Sequence, residues 1–490
     1  MSVEHPSRDL RPITATHLYD FAVCAHRVAL DFTLDRSRRA PPDEAQRLLL
    51  ERGRAVEARI AASLGYAAVA GRPDDPGAAL AETLELMRKG VAGISQGVLA
   101  SGRHLAIPDL LRRTEGPSDL GEFHYVAGDI KSGMQARTDQ ALQVVFAARL
   151  LERIQGRRPS TGFLLLGDGR EESFEIADVL DSAEAALDAV EAVADGRRGT
   201  FPFLSDACAR CRWRSVCLPE LQRGPDLSFV AGMTPTRKRL LLREGIRTAG
   251  EVAALDAPAL ARLAGRGVAI DGMSALQKQA LALTTGRPIR TGRRRRLDPP
   301  GRAPREHVLV AGWDPLAGGE PFLFGWGSRP GPGAALDRSE VRLAEGEPGR
   351  SAILFELLAW LGDGASAVLH YGSGAPRAFD RIADEAGLDP AVQGQIEARF
   401  VDLAPRARGG TYLPVRRYSF EEVAAAVGRR ALPPLDEPED APFVWFENHR
   451  LGPDGEWRAR LEARAVRDLE SLAALRDWIA SDAPSEASRA

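Results

Sequence analysis

Two short stretches decide how the chain reads: Ile107-Pro-Asp109 and, about twenty residues on, Gly128-Asp129-Ile130-Lys131. Residues 104–112 and 124–131 both have the composition of short strands. Side chains alternate along a strand, so Asp129 and Lys131, two apart, point to one face. Asp109, on the adjacent strand, can then join Asp129 around a hard divalent cation, and Mg²⁺ or Mn²⁺ suits carboxylate oxygens. A cation held there lowers the pKa of a bound water. An ammonium group at Lys131 can position that water or offset negative charge that develops during reaction.

Outward from these strands, helical periodicity covers 43–63 and 78–89 upstream, and a longer amphipathic stretch runs over 139–155 downstream. An apolar strand follows at 162–166. The order predicts a small sheet flanked by helices. From 227 to 283 the pattern is helical and broken by Gly232, Gly245, Gly265 and Gly267. A linker rich in Arg, Gly and Pro follows and contains the run Arg293–Arg296. A second α/β segment extends from about 307 to 479. The expected organisation is therefore a domain over 1–222, a helical segment over 223–286, a basic linker over 287–305 and a second α/β domain over 306–482.

At 490 residues, 44% hydrophobic and 27% charged, the composition is that of a multidomain globular chain. No apolar run reaches the roughly 18–20 residues that span a bilayer, and the first residues lack a secretory pattern. A cytoplasmic protein without a membrane partner is expected. A net charge of −3 offers no overall attraction to nucleic acid, so such affinity must come from local basic patches.

There are four cysteines: Cys24 and the trio Cys208-Ala-Arg-Cys211-Arg-Trp-Arg-Ser-Val-Cys217. In a reducing cytoplasm metal or cluster ligation is a better reading than a disulfide. Thiolates are soft ligands that suit zinc or an iron–sulfur cluster. Zinc would usually take a fourth ligand close in sequence. The remaining cysteine is Cys24, so joining it to the trio closes a very long loop and staples the first helix to the domain's end.

The combination resembles RecB-like nucleases of the PD-(D/E)xK fold that carry an iron–sulfur staple, such as the AddB nuclease domain and the CRISPR-associated adaptation nucleases. In these an early cysteine and a late CxxC…C trio bind a [4Fe–4S] cluster, and Cys24-Ala-His-Arg27 resembles the end of their opening helix. The resemblance implies a restriction-endonuclease-like fold in which Asp109, Asp129 and the Ile130 carbonyl hold Mg²⁺ or Mn²⁺. Lys131 then assists the water, and Gln143 orients the site from the position of the family's Q-x-x-x-Y motif. Ala147 stands where that motif has tyrosine, and Val56 where the family's metal-binding histidine stands. Glu57 and His104 are conceivable substitutes for that histidine. A helix neighbour points about 100° away, and a histidine such as His104 is more often satisfied in the core.

The likeness extends further. Val230-Ala-Gly232-Met and Leu241-Leu-Arg-Glu-Gly245-Ile-Arg-Thr-Ala-Gly250 resemble the helix-hairpin-helix-like segment that follows the nuclease domain in some RecB-like proteins. Residues from about 307 resemble an RNase H-like exonuclease domain. There Val310 and Gly312 replace the first two acidic residues, while Asp402 and Asp468 match later ones. Two carboxylates of four cannot hold the usual metal pair, which predicts an inactive domain. The function implied is a metal-dependent DNA nuclease, exonucleolytic on single-stranded ends, in repair, recombination or defence. Without a Walker-type phosphate loop, unwinding would need a separate helicase. The alternative is a nucleic-acid-binding scaffold that keeps the fold and the cluster but has lost catalysis. A redox or zinc-only protein has little support.

Overall fold

The computed structural model describes residues 11–69, 75–133, 138–265, 270–290, 305–314, 320–362, 364, 366–434, 441–452 and 455–481. The run Arg293–Arg296 lies outside these. The protein is mixed α/β, and the described residues fall into two compact units. The first holds the residues up to Phe203 together with Arg210–Cys217, and the second holds Leu204–Ala209 and everything from Leu218 onward.

In the first unit the elements are β1 (Ile13–Thr14), α1 (Ala15–Val23), α2 (Ala25–Thr33), α3 (Glu44–Leu64), β2 (Ala67–Ala68), α4 (Pro76–Arg88), β3 (Gly93–Ser95), β4 (Leu99–Ser101), β5 (His104–Ala106), β6 (Leu110–Ser118), β7 (Gly121–Ile130), α5 (Thr138–Gln155), β8 (Thr161–Leu165), β9 (Glu171–Glu175) and α6 (Ile176–Ala194). The main sheet has the order β2-β3-β6-β7-β8-β9, with β7 and β8 parallel and joined through α5. A smaller sheet has the order β1-β5-β4.

Period-two alternation sorts the central strands between two apolar layers. Leu111, Tyr125, Ala127 and Leu164 pack with α5 residues such as Val144 and Leu151. Leu110, Val126, Ile130, Phe163 and Leu165 face the other way and meet Val56, Ile60 and Leu64 of α3. The start of α3 is set by a reciprocal cap: Asp43 accepts from the Gln46 N–H at 2.9 Å, and the Gln46 side chain accepts from the Asp43 N–H at 3.3 Å. The helix stops at Gly65, whose φ of +63° is the left-handed termination that glycine tolerates.

Two expectations shift. The strand expected over 104–112 is two strands, β5 and β6, separated by Ile107-Pro108-Asp109. Proline has no N–H to give to a ladder, which explains a break at this point. Asp109 therefore stands immediately before β6 rather than within a strand. Likewise β7 ends at Ile130, and Lys131 is one residue beyond it, although its N–H still donates to the Leu165 carbonyl at 2.8 Å.

Beyond Leu204–Ala209, the second unit takes in the end of α7 (Arg214–Leu221), followed by α8 (Pro235–Arg243), α9 (Ala249–Ala253), α10 (Ala257–Ala264), α11 (Ile270–Thr285) and β10 (Ile289–Arg290). Then come β11 (Glu306–Trp313), β12 (Pro321–Arg329), β13 (Arg338–Leu343), α12 (Gly346–Leu361), β14 (Ala367–His370), α13 (Gly374–Glu385), α14 (Pro390–Glu397), β15 (Phe400–Asp402), α15 (Ala404–Gly409), β16 (Thr411–Tyr412), α16 (Phe420–Val427), α17 (Ala441–Leu451) and α18 (Gly455–Ser481). Five strands form a mixed sheet in the order β13-β12-β11-β14-β15. Leu309, Phe324 and Val368 pack with α12 and α13, whereas Val308, Leu369 and Val401 pack with α16 and α18. The middle helices belong to this same unit. Strand β10 pairs with β16, and the Gln279 amide on α11 donates to the Leu413 carbonyl at 2.7 Å. Among the described residues no helix is long and apolar enough to cross a membrane.

Candidate active site

The first unit brings Asp109, Asp129, Lys131 and Gln143 together. Leu110 of β6 pairs with Gly128 of β7, which sets Asp109 beside Asp129. The Asp109 carboxylate accepts from the Ile130 N–H at 2.8 Å and from the Gln96 side-chain amide at 2.8 Å. Lys131 forms an ion pair with Asp129, and its Nζ donates to the Gln143 Oε1 at 3.0 Å. Gln143 is on α5, so the crossover helix delivers it to the strand ends. Gly128 has a packing role: a Cβ there would meet the Phe163 ring at 2.2 Å. That ring lies under the Arg112 guanidinium, 3.8 Å from its centre.

Burial, followed by the adjacent Asp129 carboxyl, pushes Asp109 well above the usual carboxylate range. Glu57 adds to that push, and its own carboxyl is raised by burial and by the charge of Asp129, with Lys131 opposing. Three carboxylates thus share one electrostatic neighbourhood, and a cation relieves such crowding. Among the described residues no three His, Cys, Asp or Glu side chains are gathered closely enough to enclose a metal ion. Glu57 acts on the pair as a charge at some remove. The pair itself, with the Ile130 carbonyl, is a hard oxygen donor set that fits Mg²⁺ or Mn²⁺.

Val56, at the position that carries histidine in the resembled family, is half-buried and packs against the apolar layer between α3 and the sheet. His104 is not at the carboxylate pair. Its Nε2 lies 2.9 Å from the Glu191 Oε1, and its ring meets Phe146 edge-on. A cavity of about 240 Å³ opens beside Asp129 and Gln143, bounded by Pro108, Gly128 and Ala147. The small side chain of Ala147 leaves this space open.

One site residue escaped the sequence reading. Gln96 has φ +56°, a left-handed conformation uncommon for a residue with a side chain. Ser95-Gln96-Gly97 announces a turn but gives no sign that its glutamine faces Asp109.

The four cysteines are each half-buried. Cys24 lies at the junction of α1 and α2, where its N–H donates to the Asp20 carbonyl at 2.8 Å. Arg27, the arginine of the Cys-x-x-Arg stretch, pairs with Asp20 at 3.0 Å. Between Cys211 and Cys217, Trp213 is buried and donates through Nε1 to Asp31 on α2 at 2.6 Å. Arg212 donates to the Ala40 carbonyl at 2.9 Å, and its own carbonyl accepts from the Ala40 N–H at 2.8 Å. The segment carrying the last two thiols is therefore docked on the helix that Cys24 begins. Each thiolate is a soft ligand of the kind that suits a metal or cluster. Cys208 belongs to the second unit.

In the second unit, Val310 and Gly312 lie on β11, and neither position offers a carboxylate. Asp402 accepts from the Gly372 and Ala404 N–H groups, each at 2.8 Å. Asp468 on α18 pairs with Arg464 at 3.3 Å, and Arg464 also reaches Glu421 at 2.9 Å. Backbone amides and an internal guanidinium thus engage Asp402 and Asp468. The chain matches no protein-family model and no curated protein.

Proposed function

We propose that this chain is a metal-dependent deoxyribonuclease, similar to RecB-like PD-(D/E)xK enzymes, acting on single-stranded DNA ends in the cytoplasm. The observation that carries the reading is the convergence of a half-buried carboxylate pair, Asp109 and Asp129, with Lys131, which contacts both Asp129 and Gln143. Asp109 and Asp129, with the Ile130 carbonyl, would hold Mg²⁺ or Mn²⁺. Such an ion, when bound, lowers the pKa of a water and stabilises charge on the scissile phosphate. Gln143 holds the Lys131 ammonium at the carboxylate edge. From there Lys131 orients the attacking water and offsets the charge building on the phosphate oxygens. Glu57 strengthens the negative potential that favours the cation.

The four cysteines bind a [4Fe–4S] cluster with a structural role in this reading, supported by the docking of Trp213 on α2 and of Arg212 on Ala40 beyond it. Residues 306–482 are an inactive RNase H-like domain in this reading, supported by the engagement of Asp402 and Asp468 elsewhere, and 223–286 is a helix-hairpin-helix-like segment that contacts DNA. The partner is DNA, with unwinding left to a separate helicase. A second reading, a nucleic-acid-binding scaffold, is favoured by one observation, the packing of Val56 against the apolar layer.

The test is a cleavage assay on end-labelled single- and double-stranded DNA with Mg²⁺ or Mn²⁺. It uses protein purified without oxygen, alongside Lys131→Ala. Metal-dependent cutting that the variant loses supports the enzyme and its site together. A variant that cuts like the wild type removes Lys131 from the chemistry. No cutting by folded, cluster-loaded protein transfers the weight to the scaffold reading.

A further inference from the structure

A concentration of cationic side chains around a cavity lies in the second unit, away from the carboxylate pair. A cleft of about 460 Å³ lies between the stretch 416–434 and the helix α18. Five arginines line it, Arg416, Arg417, Arg430, Arg464 and Arg467, against three acids, Glu421, Glu422 and Asp468.

The acids are already taken. Glu422 is buried and pairs with Arg416 at 3.1 Å and with Arg417 at 4.0 Å. Arg417 also reaches Asp206 at 2.8 Å, and Arg464 bridges Glu421 and Asp468. Arg430 and Arg467 are exposed and have no ion-pair partner among the described residues. Internal pairing neutralises three of the five cations and leaves two facing the cleft. Two guanidinium groups at one opening favour an anion with several acceptor oxygens, and phosphate matches their planar forks.

The remaining wall is apolar: Phe420, Leu432, Pro433 and Pro434 line the same cleft. A bare anion has no use for such a surface, whereas a planar base gains from contact with it. The wall is held in place, since the Arg416 guanidinium donates to the Pro433 carbonyl while pairing with Glu422. A second cavity of about 280 Å³ shares Phe420, Glu421, Arg464 and Asp468 with the first, so the cleft continues toward β11.

The geometry points to a non-catalytic nucleotide site in the second unit: Arg430 and Arg467 hold the phosphate, and the base lies against Leu432, Pro433, Pro434 and Phe420. The same chemistry is presented by a free nucleotide and by one unit of a single strand. This site does not depend on the nuclease reading, because none of its residues belongs to the carboxylate pair.

The experiment is photolabelling of the intact chain with 8-azido-AMP, followed by peptide mapping, in EDTA so that cutting cannot intervene. The expected label falls within 416–434. It should drop at least fivefold in Arg430→Gln/Arg467→Gln and stay unchanged in Arg458→Gln, an exposed arginine of α18 outside the cleft. Circular dichroism checks that both variants are folded. Protection by AMP alone identifies a free nucleotide as the natural occupant, and stronger protection by a dT12 oligonucleotide identifies a strand. Either agrees with the assignment. Label outside 416–434, label undiminished in the folded double variant, or protection by inorganic phosphate as effective as that by AMP overturns it.

Discussion

Gln96 and Asp109 are joined twice: the Gln96 backbone N–H donates to the Asp109 carbonyl at 2.9 Å, and its side-chain amide donates to the Asp109 carboxylate at 2.8 Å. The left-handed backbone of Gln96 accompanies this double contact. Conformations of this kind cost about 1 kcal/mol or more for a residue with a Cβ and persist where surrounding contacts enforce them. Here the contact aims a carboxylate that lies outside any strand and that also accepts from the Ile130 N–H.

Gln96→Gly tests this arrangement, because glycine keeps the backbone conformation and removes only the side-chain donor. Under the nuclease reading, affinity for Mn²⁺ should fall roughly tenfold or more, in the range typical of outer-shell partners, with little loss of stability. Cleavage rates across a Mn²⁺ titration, paired with a denaturant melt, measure both. An unchanged metal dependence would show that Asp109 needs no help from Gln96.

Trp213→Phe keeps most of the buried surface and deletes the hydrogen bond to Asp31. Asp31 is nearly inaccessible and also pairs with Arg39, so it would lose one of its donors without gaining water. A cost of about 1–3 kcal/mol is expected. If the cysteines hold a cluster, its visible absorbance should decay faster in the variant under air. Denaturation curves and the absorbance time course check the two effects separately.

His307 makes stability depend on pH. It is buried beside Trp360 and within 2.9 Å of the Ser328 hydroxyl, and burial, assisted by Arg399 and Arg305, lowers its pKa from 6.5 to about 4. Between those values the unfolded chain binds a proton that the folded chain refuses. Its contribution is therefore complete above about pH 6.5 and is lost as pH falls toward about 4. Going from near pH 7 to near pH 4.5, His307→Gln should lose about 2–3 kcal/mol less than the wild type. Urea melts at the two pH values give the difference, and equal losses would remove His307 as the cause.

Arg329 is fully buried and donates to Glu306 at 2.7 and 2.9 Å and to Asp477 at 2.8 and 2.9 Å. Replacing it by methionine leaves Glu306 with Arg476 alone, at 2.9 Å. A loss of roughly 3 kcal/mol is expected, since one partner of a buried ion network is removed and the other stays. Equilibrium unfolding followed by circular dichroism measures it. The double change Arg329→Met/Glu306→Leu should recover part of the loss, because the stranded charge is gone.

Much of the first unit was legible because its signals are local. The helix begun by Asp43 and Gln46, the helix at 138–155 and the apolar strand at 161–165 each carry their periodicity or cap within a single run of residues. The pairing of Asp129 with Lys131 is likewise local, two residues apart at the end of β7. The break at Pro108 was also written in the chain, because proline cannot donate to a ladder, but the strand pattern on either side of it hid the interruption.

Other features were decided only when distant segments met. Glu57 and Asp129 influence one another because α3 crosses the sheet near the end of β7, and nothing in the spacing of 57 and 129 expresses that. His104, on β5, is occupied by Glu191 of the distant helix α6. Gln96 reaches Asp109 through a backbone conformation that no residue type announces. The pairing of Trp213 with Asp31 joins segments from opposite ends of the first unit. Composition and order alone determined which chemistry the side chains can do, because charge, softness and hydrogen-bonding capacity belong to the residues themselves. Tertiary structure decided which of those groups act together, because burial and proximity are properties of the packed chain and set both the pKa of Asp109 and the partners it has left.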